Sequence, residues 1–172
     1  MKLHHLRPRT RFVATAAIIA ALYAVLTIVF APISYGEIQV RISEALTILP
    51  LFTPAAIPGL FVGCLLANLF TMNPYDIVFG SLATLLASFL TWKMRKWPWF
   101  AMAWPVLCNG VIIGIVLRYA YQVPISVGLL MLYVAVGEAI AVYVLGGPLS
   151  IFLRKKGGKL FPPHTPKQII DK

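Results

Sequence analysis

The lengths of the uncharged runs constrain this chain more than any other sequence feature. Residues 12–34 form a run of 23 positions without a charged side chain, and residues 45–75 form another of 31. A third run, residues 77–92, is 16 residues long. A helix that crosses the hydrocarbon core of a bilayer needs about 20 mostly apolar residues. The sequence therefore predicts an all-α integral membrane protein, whose apolar surface is covered by lipid.

Composition and charge agree with that prediction. Hydrophobic residues make up 60% of the chain and charged residues 12%, whereas a soluble domain has roughly 25% charged residues. The net charge of +10 does not indicate a nucleic-acid partner, because the basic residues flank the apolar runs and form no stripe along a polar helix. Thirteen of the fifteen lie in three clusters: Lys2, Arg7, Arg9 and Arg11; Lys93, Arg95 and Lys96; and Arg154, Lys155, Lys156, Lys159, Lys167 and Lys172.

Clusters of this kind orient a membrane protein, since basic residues beside membrane helices stay in the cytoplasm. If all three clusters are cytoplasmic, residues 33–92 cross the membrane an odd number of times, and three crossings fit their length. Two further helices, at 99–120 and 124–153, bring the total to about six, with both termini cytoplasmic. The first apolar run is too long for a signal peptide, so we expect it to be retained as the first helix.

The predicted organisation has three parts. A basic cytoplasmic N-terminus (residues 1–11) precedes a six-helix membrane domain (residues 12–153), and a basic polar tail follows (residues 154–172). An outer loop at about 33–43 joins the first two helices. Three crossings within 33–92 require that at least one of these helices be short or only partly inserted. Ser43 is a candidate N-cap for a helix that begins at Glu44.

Charges are scarce away from the basic clusters and the tail. Glu138 lies near the middle of the last predicted helix, where a charge costs at least about 2.5 kcal/mol and usually marks a functional site. The other five lie toward the outer face: Glu37, Arg41, Glu44, Asp76 and Arg118. Asp76 has an alternative role as a helix cap, and Arg118 as an interfacial residue whose charged end reaches water. Glu138 has no such alternative, so it is the leading candidate for a binding residue.

The outer loop itself shows an alternating pattern. Between residues 37 and 43, polar residues alternate with Ile and Val, a period of two that is typical of an extended segment. Such a segment lies over the outer end of the bundle, with its polar side toward either a cavity or water. We therefore expect a lid or an exposed loop here.

Three uncharged side chains are further candidates for a ligand site. Asn68 and Asn109 are costly in a membrane unless they bond across helices. Asn109 has a predicted depth similar to that of Glu138, which is consistent with a shared cavity or with packing alone. Tyr133 is suited to stacking on a flat ligand, although aromatic residues more often pack or anchor at the interface.

The first predicted helix has a face of small residues, and several motifs of enzymes and metal sites are absent from the sequence. Ala16, Ala20 and Ala24 recur four residues apart, which favours close helix packing inside the bundle or against another subunit. The sequence has no Walker-type phosphate loop, metal-ligand cluster or Ser-His-Asp constellation. Cys64 and Cys108 lie in apolar runs, where they are expected to pack as small hydrophobic residues. Neither enzymatic activity nor a cofactor is predicted.

Several segments carry a resemblance to a known family. They are APISYGEIQVRISEALTILP (31–50), PAAIPGLFVGCLLAN (54–68), DIVFGSLATLLA (76–87), YVAVGE (133–138) and YVLG (143–146). Together they resemble the signature of the QueT family, the substrate-specific S components of energy-coupling factor (ECF) transporters assigned to queuosine precursors. The resemblance covers roughly residues 12–155.

The resemblance implies a six-helix subunit of a bacterial cell membrane. Such a subunit captures a small molecule from outside and docks on a transmembrane coupling subunit and two ATP-hydrolysing subunits. It implies that the alanine face of the first helix, with Ala16, Ala20 and Ala24, contacts the coupling subunit. It also implies that the first outer loop closes over the substrate, expected to be a 7-deazaguanine base or a related precursor.

The candidate residues suit such a ligand chemically. A guanine-like edge has adjacent N–H donors that a carboxylate can accept side by side, and Glu138, Glu44 and Glu37 are the candidate carboxylates. The ring carbonyl needs a donor, such as Arg41 or an asparagine amide, and an aminomethyl cation would need a second carboxylate. The rival interpretations are an S component for another vitamin or heterocycle, and a membrane scaffold without a transport role.

Overall fold

The computed structural model describes residues 8–34, 41–70, 72 and 74–156, and within these residues all regular structure is helical. The α-helices are α1 (Pro8–Val29), α2 (Ala31–Ser34), α3 (Ala56–Leu69), α4 (Ser81–Lys93), α5 (Pro98–Ala101), α6 (Ala103–Tyr119), α7 (Val127–Ala139) and α8 (Gly146–Lys156). A 3-10 helix (Ile42–Leu51) precedes α3. One π-helical segment (Asp76–Gly80) precedes α4 and a second (Ile140–Leu145) joins α7 to α8.

Three helical stretches are long and apolar enough to cross a membrane: Pro8–Val29, Pro98–Tyr119 and Val127–Lys155. These stretches lie close to the first, fifth and sixth predicted helices. Large apolar side chains on α1 point away from the protein, with Val13 and Val25 more than half exposed. The all-helical membrane fold is therefore confirmed, while six crossings and cytoplasmic termini stay predictions.

Residues 42–51 differ most from the sequence-based expectation. They form a 3-10 helix that begins at Ile42, so the expected helix start at Glu44 with Ser43 as its cap is wrong, and residues 42–43 are not extended. Residues 35–40 of the predicted lid lie outside the described residues. Among the described residues of the lid, Arg41 has an extended backbone.

The 3-10 helix lies in the interior of the bundle. Seven of its ten residues are buried, and at about 2.0 Å rise per residue it is roughly 20 Å long, too short to span a bilayer core of about 30 Å. It packs against α1, α4, α8 and the second π-helical segment. It is one of two shorter apolar helices in this region, with Ala56–Leu69, and three crossings within residues 33–92 stay a prediction.

Two close helix contacts depend on glycine. A Cβ on Gly63 of α3 would lie 2.8 Å from the Ala20 carbonyl oxygen of α1, and a Cβ on Gly114 of α6 would lie 2.8 Å from the Met131 Cα of α7. Only a residue without a side chain permits backbones to approach this closely. These contacts set the positions of α1 and α7, the helices that carry Tyr23 and Glu138.

Candidate functional site

A buried carboxylate at the start of the 3-10 helix is held by α1. Glu44 is fully buried, and its Oε1 accepts a hydrogen bond from the Tyr23 hydroxyl, which is also fully buried. One turn along α1, Thr27 Oγ1 lies 2.7 Å from Ser43 Oγ. The α1 residues Tyr23 and Thr27 therefore anchor the first turn of the 3-10 helix and fix the position of the Glu44 carboxylate.

A second buried carboxylate is held between α6 and α7. Glu138, which is 5% exposed, accepts a hydrogen bond of 3.1 Å at Oε1 from Asn109 Nδ2. The second π-helical segment begins two residues later, and π-helical segments within α-helices often occur at functional sites. Asn109 and Glu138, which the sequence predicted to lie at a similar depth in the membrane, are thus in direct contact.

A buried arginine, Arg41, accompanies the two carboxylates. Its side chain is 5% exposed, and it interacts electrostatically with both Glu44 and Glu138. The two carboxyl groups also interact electrostatically with each other. Three of the predicted charged residues, which are distant in the sequence, therefore form one buried cluster. We call Arg41, Glu44, Asn109 and Glu138 the charged cluster.

The charged cluster has unused hydrogen-bonding capacity. Among the described residues, no donor reaches Oε2 of Glu44 or Oε2 of Glu138. A buried acceptor without a donor costs about 1–3 kcal/mol, and more when it is charged. Two such atoms in one cluster are suited to N–H donors supplied by a ligand.

Asn68 and Asp76 belong to a different polar group. Asn68 Nδ2 donates to the Asp76 carbonyl oxygen at 2.9 Å, and the Asp76 carboxylate accepts from the Tyr121 hydroxyl. Asp76 begins the first π-helical segment. Residue 73, before this helix, lies outside the described residues, so the role of Asp76 as a helix cap stays a prediction. Asn68 and Tyr121 stabilise this segment and join it to the loop after α6.

Cys64 is also part of this second polar group. Asn68 Nδ2 and Thr84 Oγ1 each lie 3.3 Å from its sulfur atom. The expectation that Cys64 packs only as a small hydrophobic residue is therefore incomplete, because its sulfur is an acceptor between α3 and α4. Among the described residues, no group of His, Cys, Asp and Glu side chains is arranged to hold a metal ion.

The remaining ligand candidates do not meet the charged cluster in the described structure. Tyr133 is half-buried on α7, and at about 100° per residue it lies roughly 140° around the helix from Glu138. Glu37 lies outside the described residues. Arg118 is exposed and donates to the Val123 carbonyl oxygen at 2.9 Å, which agrees with its alternative role outside the site.

The small-residue face of α1 is turned into the bundle. Ala20 and Ala24 are 5% and 8% exposed, and Ala16 contacts Gly59 of α3 closely enough that a Cβ there would lie 2.8 Å from the Ala16 carbonyl oxygen. In this structure α3 covers the face expected to contact a coupling subunit. The exposed small residues of α1 are Ala17 and Ala21.

Tyr23 and Tyr121 were not identified from the sequence. Each donates to a buried carboxylate that is 21 or 45 positions away, and each lies in or beside an apolar run where an interfacial aromatic residue is equally expected. The spacing of Tyr23 and Thr27, four apart on one face of α1, is a sequence signal from which a polar contact could have been predicted.

The fold and the charged cluster define this protein as an integral membrane protein with a buried polar site. Comparison with known proteins identifies the family, because the family model of the QueT transporter matches residues 13–155. The chain belongs to the QueT transporter family.

One curated relative is the protein named queuosine precursor transporter QueT from Lactococcus lactis subsp. cremoris (strain MG1363). It is 37% identical over 82 residues, which are 46% of this chain and 48% of the relative. The aligned segment thus spans about half the length of that relative. No solved structure matches the chain significantly.

Proposed function

We propose that this chain is the substrate-binding component of an ATP-driven ECF importer, and that its substrate is a queuosine precursor with a 7-deazaguanine ring. Membership of the QueT family supports the substrate class. The charged cluster supports a binding role, since its two unused carboxylate oxygens lie in the interior of a membrane bundle. We place the protein in the bacterial plasma membrane, with six crossings and both termini in the cytoplasm.

The proposed ligand matches the cluster chemically. Adjacent N–H groups on a guanine-like edge pair with a carboxylate side by side, and such charge-assisted bonds are roughly twice as strong as neutral ones. The ring carbonyl pairs with Arg41 or with an asparagine amide. In this proposal Glu138, Glu44 and Arg41 contact the ligand, with Asn109 orienting Glu138, and Glu37 contributes from the lid at 33–43.

Docking on the energising module is part of the same proposal. The partners are a transmembrane coupling subunit and two ATPase subunits, and this chain itself hydrolyses no ATP. Because Ala20 and Ala24 are buried inside the bundle, we assign docking to the neighbouring, exposed face of α1, where Ala17 and Ala21 lie. Their size permits another helix to approach closely.

Isothermal titration calorimetry with the purified protein tests the ligand assignment. A 7-deazaguanine base should bind, while guanine analogues without the N–H edge and a panel of vitamins should not. Binding of a vitamin instead would identify an S component for another substrate. A lack of binding to every ligand, together with no ATP-dependent uptake when the chain is reconstituted with a coupling subunit and two ATPases, would support the membrane scaffold.

A further inference from the structure

The outward face of α4, together with the π-helical segment before it, is a continuous apolar stripe. Its members recur every three or four residues and are each between 45% and 49% exposed: Phe79, Leu82, Leu86 and Phe89. The small residues Ala83 and Ala87 of the same helix are fully buried. Helix–helix interfaces in membranes are enriched in small residues. The large outward side chains of α4 are therefore suited to contact with lipid chains rather than with another helix.

A groove runs along this stripe, and we call it the α4 groove. The stripe lines it together with Ile57 of α3 and Ile112 of α6, and its volume is about 640 Å³. From Phe79 to Phe89 the chain rises about 15 Å at 1.5 Å per residue. This length is half of the roughly 30 Å hydrocarbon core of a bilayer, so the α4 groove has the depth of one leaflet.

At one end the α4 groove leads to a guanidinium group. The ring centroids of Phe89 and Trp92 are 6.3 Å apart, and the guanidinium carbon of Arg95 lies 4.8 Å from the Trp92 ring centroid. Arg95 Nη1 also donates to the Trp92 carbonyl oxygen at 3.1 Å. That bond uses one of the five guanidinium N–H donors, and the side chain is exposed. The guanidinium is thus held at the end of the groove with donors accessible to a phosphate group.

The residues around Arg95 are those of a membrane interface. Lys93 and Lys96 are exposed, and Trp97 and Trp99 are 64% and 56% exposed. Tryptophan is enriched where the headgroups meet the hydrocarbon core, and the predicted orientation places this end of α4 in the cytoplasm. Basic residues at the cytoplasmic side of membrane helices attract anionic headgroups. An apolar groove that ends at such residues matches a lipid in both its chain and its charge.

We propose that the α4 groove binds an anionic phospholipid of the cytoplasmic leaflet, with one acyl chain along Leu86 and Phe89 and the phosphate group at Arg95. Lys93 and Lys96 attract the net negative charge of the headgroup, which a zwitterionic lipid lacks. None of these residues belongs to the charged cluster, so the lipid site does not depend on which molecule the protein transports.

Native mass spectrometry of the full-length, delipidated protein in detergent tests the proposal. The protein is titrated with phosphatidylglycerol and, separately, with phosphatidylcholine that has the same acyl chains. Phosphatidylglycerol should bind with a Kd about tenfold or more below that of phosphatidylcholine, since three basic side chains attract its net charge. Equal affinities, or no bound phosphatidylglycerol, would overturn the proposal and indicate that a protein partner covers this face.

A charge variant locates the headgroup. Arg95→Gln removes an exposed charge and should raise the Kd of phosphatidylglycerol about fivefold or more. Arg118→Gln is the matched control, because Arg118 is also exposed and lies about 30 Å from Pro98 along the α6 stretch at 1.5 Å per residue. This control should leave the Kd unchanged. Equal effects of the two changes would mean that net charge alone attracts the lipid, which would contradict a site at Arg95.

A groove variant locates the acyl chain. Leu86→Trp fills the α4 groove and should weaken both lipids about fivefold or more, because the chain would then overpack it. Val25→Trp, at a 57% exposed position on α1, should leave both Kd values unchanged. If Leu86→Trp keeps the Tm and both Kd values of the wild type, the chain does not lie in the groove and the proposal fails. If Leu86→Trp does not fold, the comparison of Arg95→Gln with its control decides.

Discussion

Asn109 on α6 donates a 3.1 Å hydrogen bond to one carboxylate oxygen of Glu138 on α7, and no described residue donates to the other oxygen. The first contact fixes the orientation of the carboxylate. The second oxygen is thereby left available in a buried position. We therefore propose that Glu138 is held for a ligand and does not only join two helices.

Replacing Glu138 by Gln should weaken ligand binding at least about tenfold while the protein stays folded. The amide keeps the acceptor for Asn109 but loses the charge that strengthens bonds to ligand N–H groups. Calorimetry measures the affinity, and thermal unfolding without ligand should give an unchanged or higher Tm, because a buried charge is removed. Unchanged affinity would exclude Glu138 from the site.

Replacing Gly63 by Ala should reduce both stability and binding. The new Cβ would lie 2.8 Å from the Ala20 carbonyl oxygen and 2.8 Å from Tyr23 Cβ, so α1 must shift and carry Tyr23 away from Glu44. Overpacking of this kind costs about 1–3 kcal/mol. Gly128→Ala is the matched control, because no atom lies within 4 Å of its added Cβ, and it should leave Tm and affinity nearly unchanged.

Replacing Tyr121 by Phe should loosen the contact between the loop after α6 and the first π-helical segment. The Asp76 carboxylate loses the Tyr121 donor, at a cost of about 1–3 kcal/mol. Hydrogen exchange should become faster in residues 121–126 and near Asp76. Tyr119→Phe, at a 72% exposed position, should leave the exchange rates as they are; equal effects of both changes would argue against a specific role for Tyr121.

A pair of leucine substitutions on α1 separates packing from docking. Ala20→Leu should lower Tm, because Ala20 is buried against Gly63. Ala21→Leu, on the exposed side, should leave Tm and ligand affinity unchanged but reduce ATP-dependent uptake in cells that contain the energising module. Normal uptake by the Ala21→Leu variant would place docking elsewhere on the protein.

The sequence predicts those features that local segments determine, and it does not predict those that depend on contacts between distant segments. Helix α6 was expected at 99–120, and Pro98–Tyr119 is helical with a break at Met102, because the bilayer imposes its thickness on any apolar run. The family resemblance was likewise readable from local segments and is confirmed over residues 13–155. Residues 42–51 were less predictable, since their 3-10 conformation depends on the elements that surround them.

The sequence by itself determined that this chain is an all-helical membrane protein, because long uncharged runs are stable only as helices covered by lipid. It also singled out Glu138, because a charge within an apolar run has a high free-energy cost in a membrane. Only the tertiary structure decided that Glu138 meets Asn109, that Tyr23 holds Glu44 and that Arg41 interacts with both carboxylates. It also decided that α3, and not another subunit, covers Ala20. Such contacts join residues that are far apart in the chain, and they depend on how the helices pack, which local pattern does not encode.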